Sequence, residues 1–243
     1  MPNIDVCYSP ELLHLYELKG KAVVAVDILR ATSTMVTAFA HGAADIIPVM
    51  DLAECRAYAA QGCLTAAERN GIKAAGFDFG NSPFSYMQET IKGRTIAITT
   101  TNGTRAIRLS EAADEIVIGS FLNLQVVADY LQELQLDVLV VCAGWKGKFN
   151  LEDTLYAGAL VERLQNTFSF ANDATQASLY LYQIAKEDLL TFLWQSSHVR
   201  RLEKLGIHED IEFCLQYDTY NVLPVWRHDR LVDHLAVITN NEL

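Results

Sequence analysis

The sequence predicts an α/β fold with a largely parallel sheet and a helical appendage toward the C-terminus. Three observations predict it. Short Val- and Ile-rich runs alternate with stretches of helical periodicity, which is the pattern of βαβ units. The runs lack polar alternation, as strands buried on both faces do. Residues 173–216 change character and read as helix after helix. The 243 residues are 51% hydrophobic and 20% charged, enough for a sizeable core, read here as one domain over 1–243.

The elements follow in order. KAVVAVD (21–27) is a buried strand, and ATSTMVTAFAHG is a helix stopped by Gly42. ADIIPVM is a second strand. Asp51 and Glu54 form a capping box for a helix over 52–61, ended by Gly62. CLTAA is the third strand, and 69–82 is irregular and Gly-rich. Ser82 before Pro83 is the N-cap of another helix. RTIAITT, EIVIG and DVLVVCA are the fourth to sixth strands. Asn123 caps a helix to about Leu134, and LEDTLYAGALVERLQ is an amphipathic helix. SLYLYQIAKEDLLTFLW is the longest apolar stripe of the appendage, and NVLPVW is a last short strand.

Charge and cysteines exclude several classes. A net charge of −11 suits neither nucleic acid nor an anionic membrane surface, so any bound anion needs a local basic pocket. No basic leader with an apolar core is expected at the N-terminus, and no apolar run approaches the roughly 20 residues of a membrane span. Cys7, Cys55, Cys63, Cys142 and Cys214 are odd in number, scattered and without a CxxC, which reads as free thiols in a reducing cytoplasm.

Four turns after apolar runs hold the chemistry. In a parallel sheet the strand carboxyl ends share an edge, and ligands bind there. Asp27 ends the first strand; a buried carboxylate must be paired, capping or metal-bound, and Arg30 is its ordinary ion-pair partner. Thr32 opens the following helix, where anions are favoured. Glu68 and Arg69 repeat the arrangement on another strand. Asp78, Asn81 and Ser82 lie in GFDFGNSP, whose glycines and small polar residues form a backbone nest for an anion. Thr101, Asn102, Gly103, Thr104 and Arg105 form the clearest phosphate cradle. Gly144, Lys146, Gly147 and Lys148 add cations at a fourth strand end. Glu152 and Asp153 compensate a helix dipole or reach a Mg²⁺ ion.

Familiar designs fail by position. A haloacid-dehalogenase phosphatase needs an acid two residues after its aspartate, where Leu29 stands. A cysteine phosphatase needs Arg where Lys148 follows Cys142, and lysine lacks the guanidinium fork. Cys142 is retained as a nucleophile only if nearby lysines lower its pKa. No Walker A spacing and no HExxH occur. In SSHVRRL, His198 and the arginines 200 and 201 either bring cations to the site or form a solvated helix face.

Together VDILRATST, ERNG, GFDFGNSP, TTTNGTRA, CAGWKG with the following ED, and DIEFC…NVLP resemble the 2-phosphosulfolactate phosphatase family over about residues 22 to 225. The resemblance implies a three-layer α/β/α fold with a largely parallel or mixed sheet. It implies a Mg²⁺-dependent hydrolysis of 2-phospho-3-sulfolactate, or of a related phosphorylated hydroxy acid, to 3-sulfolactate and phosphate, in the route to coenzyme M.

One site is expected from these residues. Asp27 with Glu68 or Asp78 holds Mg²⁺, Asn102 to Arg105 cradle the phosphoryl oxygens, and Arg30 and Arg69 neutralise developing charge. Lys146 and Lys148 take the carboxylate or sulfonate end. Direct water attack and a phosphoaspartate on Asp27 both stay open. The alternatives are a non-catalytic binder of a phosphorylated or sulfonated metabolite, and a cysteine-nucleophile phosphatase using Cys142. The stripe 178–194 covers the core or forms a homodimer interface; periodicity does not separate the two.

Overall fold

The computed structural model describes residues 1–170 and 172–241. Its elements run β1 (Asn3–Cys7), β2 (Lys21–Val26), α1 (Ala31–Ala40), β3 (Asp45–Pro48), α2 (Leu52–Ala57), β4 (Leu64–Arg69), β5 (Ile72–Lys73), β6 (Thr95–Thr99), α3 (Gly103–Leu109), β7 (Glu115–Gly119) and α4 (Leu124–Leu134). They continue with β8 (Asp137–Cys142), α5 (Leu151–Leu164), β9 (Ser169–Phe170), α6 (Asp173–Ala185), α7 (Leu189–Leu193), α8 (Ser197–Glu203), α9 (His208–Cys214), β10 (Pro224–Arg227), β11 (Arg230–Asp233) and α10 (His234–Asn241). The fold is α/β, as expected, with helices concentrated after β8.

One sheet carries the strands in the order β5-β4-β6-β3-β11-β10-β7-β2-β8-β1-β9. β2 lies between β7 and β8, parallel to both, and every residue after Lys21 in it is buried. That is why KAVVAV shows no polar alternation. Val24 and Val26 join the cluster formed with Leu155, Leu160 and Leu164 of α5, while Val23 and Ala25 face α3 and α1 on the other side. Helices therefore cover both faces, giving three layers.

The sheet is mixed, and the antiparallel part has a consequence. β3–β11, β11–β10 and β10–β7 are all antiparallel pairings. Three reversals in succession make the β4-β6-β3 half run opposite to the β7-β2-β8-β1-β9 half along the ladder. The expectation of one shared carboxyl edge is corrected here. β6 and β2 are five strand spacings apart, about 24 Å in a flat sheet. Yet a Cβ built on Gly103, after β6, would stand 2.8 Å from Asp27 Oδ2, after β2. The two ends therefore meet in space despite their separation along the strand order.

Several local expectations change. The side chain that caps the turn into α4 is Ser120, which accepts from Leu122 N, while Asn123 returns its Oδ1 to the Ser120 amide at 3.0 Å. Asn123 Nδ2 donates to the carbonyls of Ile118 and Val222. Ser82-Pro83 opens a single 3₁₀ turn, Pro83–Tyr86, and the Ser82 hydroxyl bonds Asp210. The stripe 178–194 breaks after Ala185 because the Asp188 carboxylate caps a new helix by accepting from Thr191 N at 2.9 Å. Its Leu179, Tyr182, Ala185, Leu189 and Leu193 lie in the core, with Tyr180 and Ile184 exposed. β1, β5, β9 and β11 were not anticipated. No helix among the described residues is long and apolar enough to cross a membrane.

Candidate active site

The turn after β2 is braced by its own polar atoms. The Asp27 amide donates to Thr32 Oγ1 at 3.1 Å, and the Thr32 amide donates back to the Asp27 carbonyl at 3.0 Å. Thr32 therefore shapes the turn. The Asp27 carboxylate is 7% exposed, and its Oδ1 accepts from Ala31 N at 3.4 Å. Burial above all, then the charge of Asp153, and more weakly that of Glu68, push the Asp27 carboxyl well above the usual carboxylate range, while His198 pulls it down. These acids share one electrostatic environment.

Asp153, given a dipole or metal role from sequence, is a brace. Its Oδ1 accepts from the Ile28 amide at 2.9 Å and its Oδ2 from the Gly144 amide at 3.1 Å, tying the turns after β2 and β8. Burial first, and the neighbouring Glu152 next, raise its carboxyl as well. Gly144 has φ +62°, and any Cβ there would collide with the Lys148 carbonyl, so the turn requires glycine. Asn102 Oδ1 accepts from the Lys146 amide at 3.2 Å, joining this turn to the one after β6.

Glu68 ends β4 as expected and accepts from the Gly71 amide, from Thr101 N at 3.2 Å and from Thr101 Oγ1. Arg69 is anchored at the same end, donating to the Glu68 carbonyl at 2.7 Å and to Thr99 Oγ1 at 3.0 Å. In the expected phosphate cradle, Thr101 N is taken by Glu68 and Thr104 N donates to Thr100 Oγ1 at 3.2 Å. The Asn102 and Gly103 amides have no acceptor among the described residues, and Gly103 lies against Asp27.

Other expected residues are placed differently. Arg30 does not pair with Asp27. It forms a buried ion pair with Asp210 and donates to the Gly71 carbonyl at 3.0 Å, so it clamps α9 to the strand turns. Asp78 is exposed and accepts from the amide and hydroxyl of Thr65, near the start of β4 rather than the Glu68 end. It does not join the acid cluster. Arg105 points to Glu11 at 2.6 Å on the rim, beside Gly147. Lys146 and Lys148 are exposed, with Lys146 Nζ over the Trp145 ring. Asn81 is buried with an unpartnered Oδ1, and its carbonyl accepts from Thr34. Cys142 is 1% exposed, and burial raises its thiol well above the ordinary value, further raised by Asp153. It lacks the thiolate character a nucleophile needs.

A group from α5 and α8 completes the site. Glu152, fully buried, accepts from Asn150 Nδ2 at 3.0 Å and pairs with His198 Nδ1. His198 lies against the Trp145 ring, centroids 5.4 Å apart. Arg201 covers the other contact of Trp145, its guanidinium carbon 3.4 Å from the ring centroid, while Arg200 faces solvent. The SSHVRRL segment thus splits by helix face, which its sequence left open. The signal that could have found Asp210 was its place in DIEFC, quoted for the resemblance but given no role.

Among the described residues no three His, Cys, Asp or Glu side chains form a metal cage. Mg²⁺ needs none, since it binds through one or two carboxylates with water and substrate phosphate. The all-oxygen pair Asp27 and Glu68, in a cluster of acids that repel one another, fits such a hard cation.

A family model described as 2-phosphosulpholactate phosphatase matches residues 7–229. A probable 2-phosphosulfolactate phosphatase of Caldanaerobacter subterraneus is 42% identical over 213 residues, 86% of this chain and 88% of that one. Proteins of the same description from Thermotoga maritima and a Cyanothece species are 42% and 38% identical, covering 91% and 92% of this chain and 94% and 96% of theirs.

Proposed function

This chain belongs to the 2-phosphosulfolactate phosphatase family, a family of phosphoric monoester hydrolases, and from that premise we propose that it hydrolyses 2-phospho-3-sulfolactate, or a closely related phosphorylated hydroxy acid, with Mg²⁺. The observation that carries the reading is the convergence of Asp27, Glu68 and the free Asn102 and Gly103 amides from two opposed half-sheets. Asp27 and Glu68 would hold Mg²⁺, which when bound supplies Lewis acidity toward the phosphoryl oxygens.

The protein's own groups account for the rest. The Asn102 and Gly103 amides offer two donors to phosphoryl oxygens beside Asp27. Arg69, fixed at the end of β4, contributes positive charge at the same edge. His198, oriented by Glu152, is a carboxylate-held imidazole, the equipment for giving a proton to the leaving alkoxide or taking one from water. The rim cations Arg105, Lys146 and Lys148 draw a polyanionic substrate toward an otherwise acidic protein. Five unpaired cysteines suit a cytoplasmic setting.

The test is phosphate release from phosphosulfolactate and a panel of phosphorylated hydroxy acids, with Mg²⁺ and with EDTA. Turnover lost in EDTA and restored by Mg²⁺ supports the reading. Turnover indifferent to EDTA removes the metal, and binding of these esters without turnover favours a metabolite-binding role.

A further inference from the structure

Arg201 presents a chemical problem that the protein alone does not solve. Its Nε and Nη2 are shut off from solvent and have no hydrogen-bond partner among the described residues. An unpartnered buried donor is costly, and more so on a charged group. The two atoms lie on the same edge of the guanidinium. That edge is the side-on fork that takes two oxygens of one carboxylate, sulfonate or phosphate. The face of the group is occupied by Trp145, so the fork is held in one plane.

The surroundings say which oxygens are meant. Asp210, which neutralises Arg30, gives no oxygen to Arg201, and Glu152 engages Asn150 and His198 through Oε1 while its buried Oε2 has no hydrogen-bond partner among the described residues. Burial lowers the Arg201 pKa, and the acids that counter this are Glu152 most strongly, then Glu68, then Asp27. Arg201 stands on the Trp145 side of the cluster, over the ring that His198 also meets. The phosphoryl group belongs at Asp27 and the Asn102–Gly103 amides. An oxyanion in the Arg201 fork is then a second acid group of the same molecule.

We propose that Arg201, pinned by Trp145, is the receptor for the acid group of the substrate that is not transferred, a sulfonate or carboxylate. This deepens the phosphatase reading and rests on it for the position of the phosphoryl group. It also gives α8 a purpose: Val199 and Leu202 bury one face in the core and present Arg201 to the site.

Binding without turnover separates this inference from the activity itself. Calorimetric titration with 3-sulfolactate, lactate and inorganic phosphate would be run on the wild type, Arg201→Lys and Arg201→Gln, with melting curves to confirm folding. The expected result is tenfold or greater weakening of 3-sulfolactate in both variants, with phosphate affinity changed less than threefold. Lysine fails because it keeps charge and loses the fork. Lactate, binding wild type and weakened alike, assigns the carboxylate; unchanged lactate assigns the sulfonate. Equal loss for phosphate and sulfolactate, unchanged sulfolactate binding, or no sulfolactate binding by the wild type overturns the proposal. A wild type that turns over no ester yet binds sulfolactate through Arg201 leaves this inference standing and removes the catalytic one.

Discussion

Replacing Asp210 by alanine isolates the clamp that joins the helical appendage to the strand turns. The Arg30 and Asp210 side chains are 5% and 10% exposed. Asp210→Ala leaves a buried guanidinium with only the Gly71 carbonyl as partner, and it strands the Ser82 hydroxyl. Breaking a buried pair from one side costs about 3–5 kcal/mol, and the lost neutral donor adds about 1 kcal/mol. At roughly 2–4 °C per kcal/mol for a chain of this size, melting should fall by about 8–24 °C. Arg30→Met with Asp210→Leu removes both charges and should recover most of that loss, because a packed apolar pair often equals a buried ion pair. Differential scanning calorimetry of the three proteins, paired with phosphate release, reads both roles. If Arg30 is a clamp, the double variant keeps turnover within about tenfold of wild type. An Asp210→Ala protein melting within about 2 °C of wild type would refute the reasoning. A double variant no more stable than the single would do the same.

Other predictions concern the acid cluster and its neighbours. The carboxyls of Asp27 and Asp153 are raised to about 8 and about 7, so between about pH 4 and pH 8 the folded state holds more protons than the unfolded state. Stability of the metal-free protein should therefore fall as pH rises from 4 to 8. Asp27→Asn should flatten that slope and abolish turnover; a melting temperature that climbs over this range would contradict the linkage. Gly103→Ala places a methyl 2.8 Å from Asp27 Oδ2 and should cost about 1–3 kcal/mol while lowering kcat, measured by denaturant unfolding and phosphate release. Thiol labelling of the native protein should modify Cys63 first and leave activity intact, since the other four cysteines are buried; rapid labelling of Cys142 with loss of turnover would restore its candidacy.

How much was legible depended on whether the cause was local. Strands such as KAVVAV and DVLVVC declare themselves by burial on both faces, and the Asp51–Glu54 box is a matter of three residues. Asp27 and Glu68 were found because a charge ending an apolar strand is costly unless it does something. The ion pairs of Arg30 and Arg105 could not be read because their partners, Asp210 and Glu11, lie 180 and 94 residues away. Asp78 shows the same limit in miniature: only the path of the loop decides that it returns to Thr65. The fork of Arg201 could not be read because SSHVRRL offers two adjacent arginines, and only the packing of Val199 and Leu202 chooses between them. The polarity reversal was invisible because the hairpin responsible is short and inserts far from its sequence neighbours.

That hairpin has a temporal consequence. Among the described residues β10 and β11 are the only strands between the two half-sheets, and they follow every other strand. A nascent polypeptide that has emerged as far as residue 220 holds the sequence of both halves, each able to pair within itself. Its carboxylate-bearing turns have no ladder to hold them together until residues 224–233 dock. Contacts of this separation close slowly. Docking of residues 224–233 thus completes the ladder on which the two sets of turns are held.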